Sequence, residues 1–135
     1  MRVLITFCLF LFTQGLVAQN WEKVYSDDQL AIFKAEYTHE VKSNNHSHQR
    51  IIFKYTNLTN KNISFSVSRE HYFDGKCSGC NGSENNFKVS LQPNESKQFN
   101  TEENKNKTYY VFKKDNRGFI KRQLTDLKIA KIKYY

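Results

Sequence analysis

The chain has 135 residues, with 21 Lys and Arg against 13 Asp and Glu, a formal net charge of +8, and 15% aromatic residues. That length suits one domain with a single core. It excludes a helical membrane span, because the longest apolar run is about half the roughly 20 residues that crossing requires.

That run opens the chain. Met1-Arg2 is a short positive start, Val3 to Phe12 is apolar, and Gly15-Leu16-Val17-Ala18 ends on a small residue. This is the layout of a secretory signal, with cleavage expected near Ala18-Gln19. A buried N-terminal strand is the alternative. Cys8 lies in the middle of the apolar run, which disfavours lipidation. The expectation is a signal at 1–18, one domain at 19–135, and a secreted or periplasmic protein.

Trp21 to Tyr25 reads as a lead-in strand, with Trp21 closing one end of the core. Leu30 to Val41 alternates Ala31, Phe33, Ala35 and Tyr37 against Ile32, Lys34, Glu36 and Thr38. Ser43 to His48 is polar and patternless, a loop. The clearest signal follows in RIIFKYTNLTNKNISFSVSREHY, Arg50 to Tyr72. Two period-2 runs, Ile51 to Thr56 and Ile63 to Ser68, flank a polar break, and the pattern predicts a β-hairpin with one buried face.

Asp74 to Ser83 holds three of the five glycines and predicts a tightly turned loop. Phe87, Val89 and Leu91 mark the next strand, Pro93-Asn94-Glu95 a turn, and Ser96 to Asn100 a short strand pairing back. Tyr109 to Phe112 is apolar throughout, a strand buried on both sides. Asp115-Asn116-Arg117-Gly118 predicts a hairpin turn. Ile120 to Tyr134 mixes helical and strand spacing, and β-branched residues with tyrosine favour a strand from Leu127. Seven to nine short strands with regular turn signals predict an all-β, immunoglobulin-like two-sheet sandwich, with a small barrel as the alternative.

Cys77 and Cys80 form the most chemical-looking motif, C-x-x-C. A redox pair needs a helix N-terminus to hold its first thiolate. The following Asn81-Gly82-Ser83-Glu84-Asn85-Asn86 disfavours a helix, so a disulfide staple is expected, with a metal or reduced pair and a redox pair as the other readings. A zinc reading recruits His71 but lacks a fourth ligand, since His39, His46 and His48 are distant in sequence. No catalytic motif is found, and Glu36, Glu40 and Glu70 read as solvated positions, so no enzyme and no cofactor are expected.

Charge is uneven. Lys105 to Tyr135 contains Lys105, Lys107, Lys113, Lys114, Arg117, Lys121, Arg122, Lys128, Lys131 and Lys133 against only Asp115 and Asp126. This suggests a surface for an anionic glycan or envelope surface, although lysine-rich composition explains the same excess. Export disfavours nucleic acid. Six Asn-x-Ser/Thr triplets, at Asn45, Asn57, Asn62, Asn81, Asn94 and Asn106, are glycan acceptors in a eukaryotic host and turn chemistry otherwise.

The order LAIFK (30–34), IIFKYTNLTNKNISFSVS, EHYFDGKCSGC and FKVSLQPNESKQF resembles small exported β-sandwich proteins of unknown function from Bacteroidota. The resemblance implies fold and export and brings no activity. Those proteins carry further cysteines near the first strand and after the Pro93-type turn, whereas Tyr37 to Glu40 and Asn100 to Glu103 have none here. Three functions are therefore weighed: a non-catalytic exported binding or structural domain, a hydrolase inhibitor acting through the 75–83 loop, and a thiol–disulfide protein using Cys77.

Overall fold

A computed structural model describes residues 19–41, 45–103 and 105–135. The expected signal at 1–18 and part of the expected 43–48 loop lie outside the described residues. Within them there is no helix, and nine strands form two antiparallel sheets that do not close into a barrel.

The first sheet contains β1 (Glu22–Ser26), β2 (Leu30–Val41), β3 (His46–Asn57), β7 (Ser96–Gln98) and β8 (Tyr110–Asp115). β2 pairs along all of β3, from Leu30 opposite Asn57 to Val41 opposite His46. β7 and β8 therefore share the other edge of β3, at Lys54–Thr56 and His48–Ile52 respectively. The second sheet contains β4 (Ile63–Phe73), β5 (Lys76–Ser78), β6 (Asn86–Leu91) and β9 (Leu124–Tyr134). β9 lines one edge of β4, while β5 and β6 divide the other.

The expected hairpin between the 51–56 and 63–68 runs does not form. β3 and β4 belong to different sheets and face each other across the core. The physical reason lies in the intervening turn. Asn57 is buried, and its amide nitrogen donates to the carbonyls of Lys61 (2.6 Å) and Gln92 (2.8 Å). Its Oδ1 accepts from the backbone N–H (2.9 Å) and hydroxyl (2.8 Å) of Thr59. The chain is thereby tied into a crossing between sheets. The 115–118 turn likewise links sheets, because β8 pairs with β3 and β9 with β4. Ser96–Gln98 pairs with β3 and not back onto β6. β9 begins at Leu124, three residues before the expected start.

Between the sheets pack Leu30, Ile32, Phe53 and Tyr55 from one side and Phe65, Val67, Val89 and Leu91 from the other. Each such side chain contributes about 1.5–3 kcal/mol through burial. Trp21 does not close an end of this core. It packs with Tyr37, Phe99 and Tyr110 in a second cluster around Ala35 and Ile52, on the outer side of the first sheet. Asp27 clasps the sheets together, accepting the hydroxyls of Tyr25 (2.7 Å) and of Tyr134 in β9 (2.5 Å) and the amides of Gln29 and Leu30.

Candidate functional site

The Asp74-Gly75 turn, both residues at positive φ, folds β5 back onto β4, so Cys77 stands opposite Tyr72. The sulfurs of Cys77 and Cys80 are in close contact with Cα atoms 5.8 Å apart, within the span a disulfide bridges. No helix follows within the described residues, so nothing from a helix dipole acts on Cys77. The motif thus lies partly on a strand, where a loop was expected.

The histidines expected in a solvated loop occupy β3 instead. His48 packs at a tilt against His39, with ring centroids 5.0 Å apart, and against His46 at 6.1 Å. Arg50 Nε donates to His48 Nε2 at 2.9 Å. Burial and the neighbouring Arg50 lower the His48 pKa, so the ring is neutral and its Nε2 already engaged. Among the described residues no group of three His, Cys, Asp or Glu side chains is placed to hold a metal ion. Asn57, read as a glycan acceptor, is buried with its nitrogen in two hydrogen bonds, a position closed to glycosylation once folded.

The ten basic residues of the C-terminal third do not form one surface. Lys113 pairs with Glu36, and Arg117 donates to the carbonyl of Asn45. The buried Asp115 carboxylate accepts the amides of Arg117, Phe119 and Ile120, shaping a turn that leaves the Phe119 side chain 75% exposed. Lys114 lies opposite Gln49 in β8, and Lys105 and Lys121 are exposed in the flanking loops. Lys107 and Arg122 turn toward a cleft described below.

Lys128, Lys131 and Lys133 form the third group, in β9 on the outer face of the second sheet. Their register places Lys133 opposite Ser66, Lys131 opposite Ser68 and Lys128 opposite Glu70. On the other edge of β4, Lys88 is also opposite Ser66. Partners directly opposite point to the same face. The result is lysine on both sides of Ser66, while Ser68 has Lys131 on one side and Asn86 on the other. Tyr135 lies beneath Lys88 and Lys133, 5.8 and 5.6 Å from their ammonium nitrogens, and Tyr72 is 5.1 Å from Lys128.

A cleft of about 410 Å³ opens between the sheets, at the end of β4 away from Ile63. Alternation along β4 sends Ile63, Phe65, Val67, Arg69, His71 and Phe73 inward, and all six are buried. The Arg69 guanidinium is sandwiched between Phe53 and Phe87, 4.1 Å from each ring centroid. It donates to the carbonyls of Lys107 (2.7 Å) and Thr108 (3.0 Å), holding the lead-in to β8. Burial lowers its pKa against the opposing effect of the Tyr55 hydroxyl, and its partners are carbonyls, rings and that hydroxyl, with no carboxylate among the described residues. Arg69 Nε and His71 Nε2 are buried without a hydrogen-bond partner there. Burial, then Arg69, depresses the His71 pKa to about 4, so this imidazole is neutral at physiological pH. At the rim Arg122 stacks on Phe73 at 3.9 Å.

Sequence reasoning missed this cleft, although a signal was present. Arg69 and His71 fall in phase with the apolar residues of β4, where a solvated side chain does not belong. Against this geometry, no family model, curated protein or solved structure matches the chain.

Proposed function

We propose that the chain is a non-catalytic, exported, immunoglobulin-like binding domain that recognises an anionic polysaccharide of the cell envelope or extracellular space. The outer face of the second sheet is its contact surface. One observation carries this reading: Lys88 and Lys133 flank Ser66 in register, with Lys131 and Lys128 continuing the row.

Strands sit about 4.8 Å apart and alternate residues about 6.7 Å, so the lysines form a flat array of charge at the scale of a polysaccharide repeat. The half-buried Ser68 hydroxyl donates to and accepts from sugar hydroxyls, while Ser66 itself is buried. Tyr72 and Tyr135 offer apolar ring surface at the two ends. Glu70 and Asp126 stand on the same face, and Asp126 is 3.8 Å from Lys128, so part of the charge is offset. Four lysines against these two carboxylates leave a net positive face. A lipid surface is less suited, since headgroup binding is completed by apolar side chains entering the bilayer, and this face presents serine and lysine.

Calorimetric titration with polygalacturonate tests the reading. Binding is expected, together with none to neutral dextran and a loss of about tenfold or more when Lys128, Lys131 and Lys133 are all replaced by Gln. Equal binding to dextran, or an unaffected triple variant, refutes it. Preferential binding to anionic vesicles over the polymer assigns the face to a membrane surface instead.

A further inference from the structure

The inter-sheet cleft is independent of the lysine face, and its chemistry is different. Arg69 Nε and His71 Nε2 are successive inward positions of β4, buried without partners among the described residues, and both residues line the cavity. Buried polar groups are nearly always hydrogen-bonded, and leaving one unpaired is costly. Two such nitrogens, on residues that both line a cavity of ligand size, mark a place where an acceptor belongs. Arg122 and Lys107 add two cations at the rim against one carboxylate, Glu84. Phe73, Phe87, Val111 and Phe112 supply apolar wall.

We infer that this cleft binds a small organic monoanion, a carboxylate carried on an aromatic or aliphatic body. The carboxylate accepts from the Arg69 and His71 nitrogens and is neutralised by Arg122, and the body lies against the phenyl rings. A carboxylate fits better than a free phosphate. A dianion must shed more hydration to enter an apolar-walled cavity and also meets the Glu84 charge. The existing Arg69 bonds to the Lys107 and Thr108 carbonyls fix the guanidinium in place, so little ordering remains to be done on binding.

The test is a titration of the purified protein with 3-phenylpropionate, followed by NMR of the His71 imidazole. Parallel titrations use the neutral 3-phenylpropionamide and inorganic phosphate. Saturable movement of the His71 signals is expected with the carboxylate. The amide and phosphate should bind at least about tenfold more weakly, since each lacks one half of the recognition. Arg122→Gln, at an exposed position that does not threaten folding, should weaken the carboxylate about tenfold. Lys131→Gln on the sheet face should change nothing. Absence of a saturable shift overturns the inference, as does equal binding of the amide or of phosphate, or an Arg122→Gln variant that binds like the parent. Loss of cleft binding in Lys131→Gln also overturns it, by placing the ligand on the polysaccharide face.

Discussion

Replacing Asn57 tests the crossing that distinguishes this fold from the expected hairpin. Its side chain donates to the Lys61 and Gln92 carbonyls and accepts from the Thr59 amide and hydroxyl, all from a buried position. At roughly 0.5–1.5 kcal/mol net per bond, these sum to about 2–6 kcal/mol. The Thr59 hydroxyl can turn to the Lys61 carbonyl, which it already approaches at 3.2 Å, so some of that is recovered. Asn57→Ala should therefore cost about 3 kcal/mol, lowering the thermal midpoint by roughly 10–15 °C. Asn57→Asp is nearly isosteric and keeps both acceptor bonds, yet it should be worse. It sets an oxygen against two carbonyl oxygens at distances where the native nitrogen donates. Its penalty should grow as pH rises above about 4, when the new carboxylate ionises. Urea unfolding of the three proteins across pH reads both effects, with an unchanged slope showing that the folded state is intact. A cost below about 1 kcal/mol for Ala, or Asp tolerated like the parent at neutral pH, would refute the reasoning.

Other expectations follow from particular contacts. Tyr134→Phe removes the hydroxyl that β9 donates to Asp27 and should destabilise by about 1–2 kcal/mol in chemical denaturation. The Asp27 pKa is lowered: burial pushes it up, but the Tyr134 and Tyr25 hydroxyls and two amides outweigh burial. Its stabilisation is therefore present above the unfolded carboxylate pKa near 3.9 and fades as pH falls through the lower folded value; Tyr134→Phe should weaken that acid dependence. His71 acts in the same direction at higher pH, because its folded pKa of about 4 also lies below the unfolded 6.5. Stability is complete above pH 6.5 and falls as pH drops toward 4, a loss that His71→Gln should flatten in denaturation midpoints measured across that window. Replacing Cys77 and Cys80 together by Ser should lower the unfolding free energy measured in urea by no more than about 2 kcal/mol, since the ring they close is very short.

Much of the architecture is legible in side-chain alternation. β2 spans the expected Leu30 to Val41, and the Phe87 and Tyr109 runs become β6 and β8. Alternation states which side chains turn inward and nothing about the neighbouring strand. Two runs joined by a short polar break can lie side by side in one sheet or face each other across a core. Asn57, with its four hydrogen-bonding capacities used internally, decides for the second arrangement. His46 and His48 were hidden because polar residues disguised the start of β3, which is paired through His39 and Val41 of β2. The lysines could be counted in sequence, but their division depends on pairing. Only the register of β9 and β6 against β4 sets Lys88 and Lys133 on either side of Ser66. The cleft depends on contacts far apart in the chain, since Arg69 meets the Lys107 and Thr108 carbonyls across nearly forty residues.

The salt dependence of polygalacturonate binding tests the proposed polysaccharide contact most directly. With Lys88, Lys131 and Lys133, the lysines not paired to Asp126, each displacing a counterion, affinity should fall on the order of 20-fold between about 50 and 200 mM salt. In the variant lacking the three β9 lysines the same interval should cost only about threefold. An affinity that is flat across that range, or a slope shared by both proteins, would contradict the account.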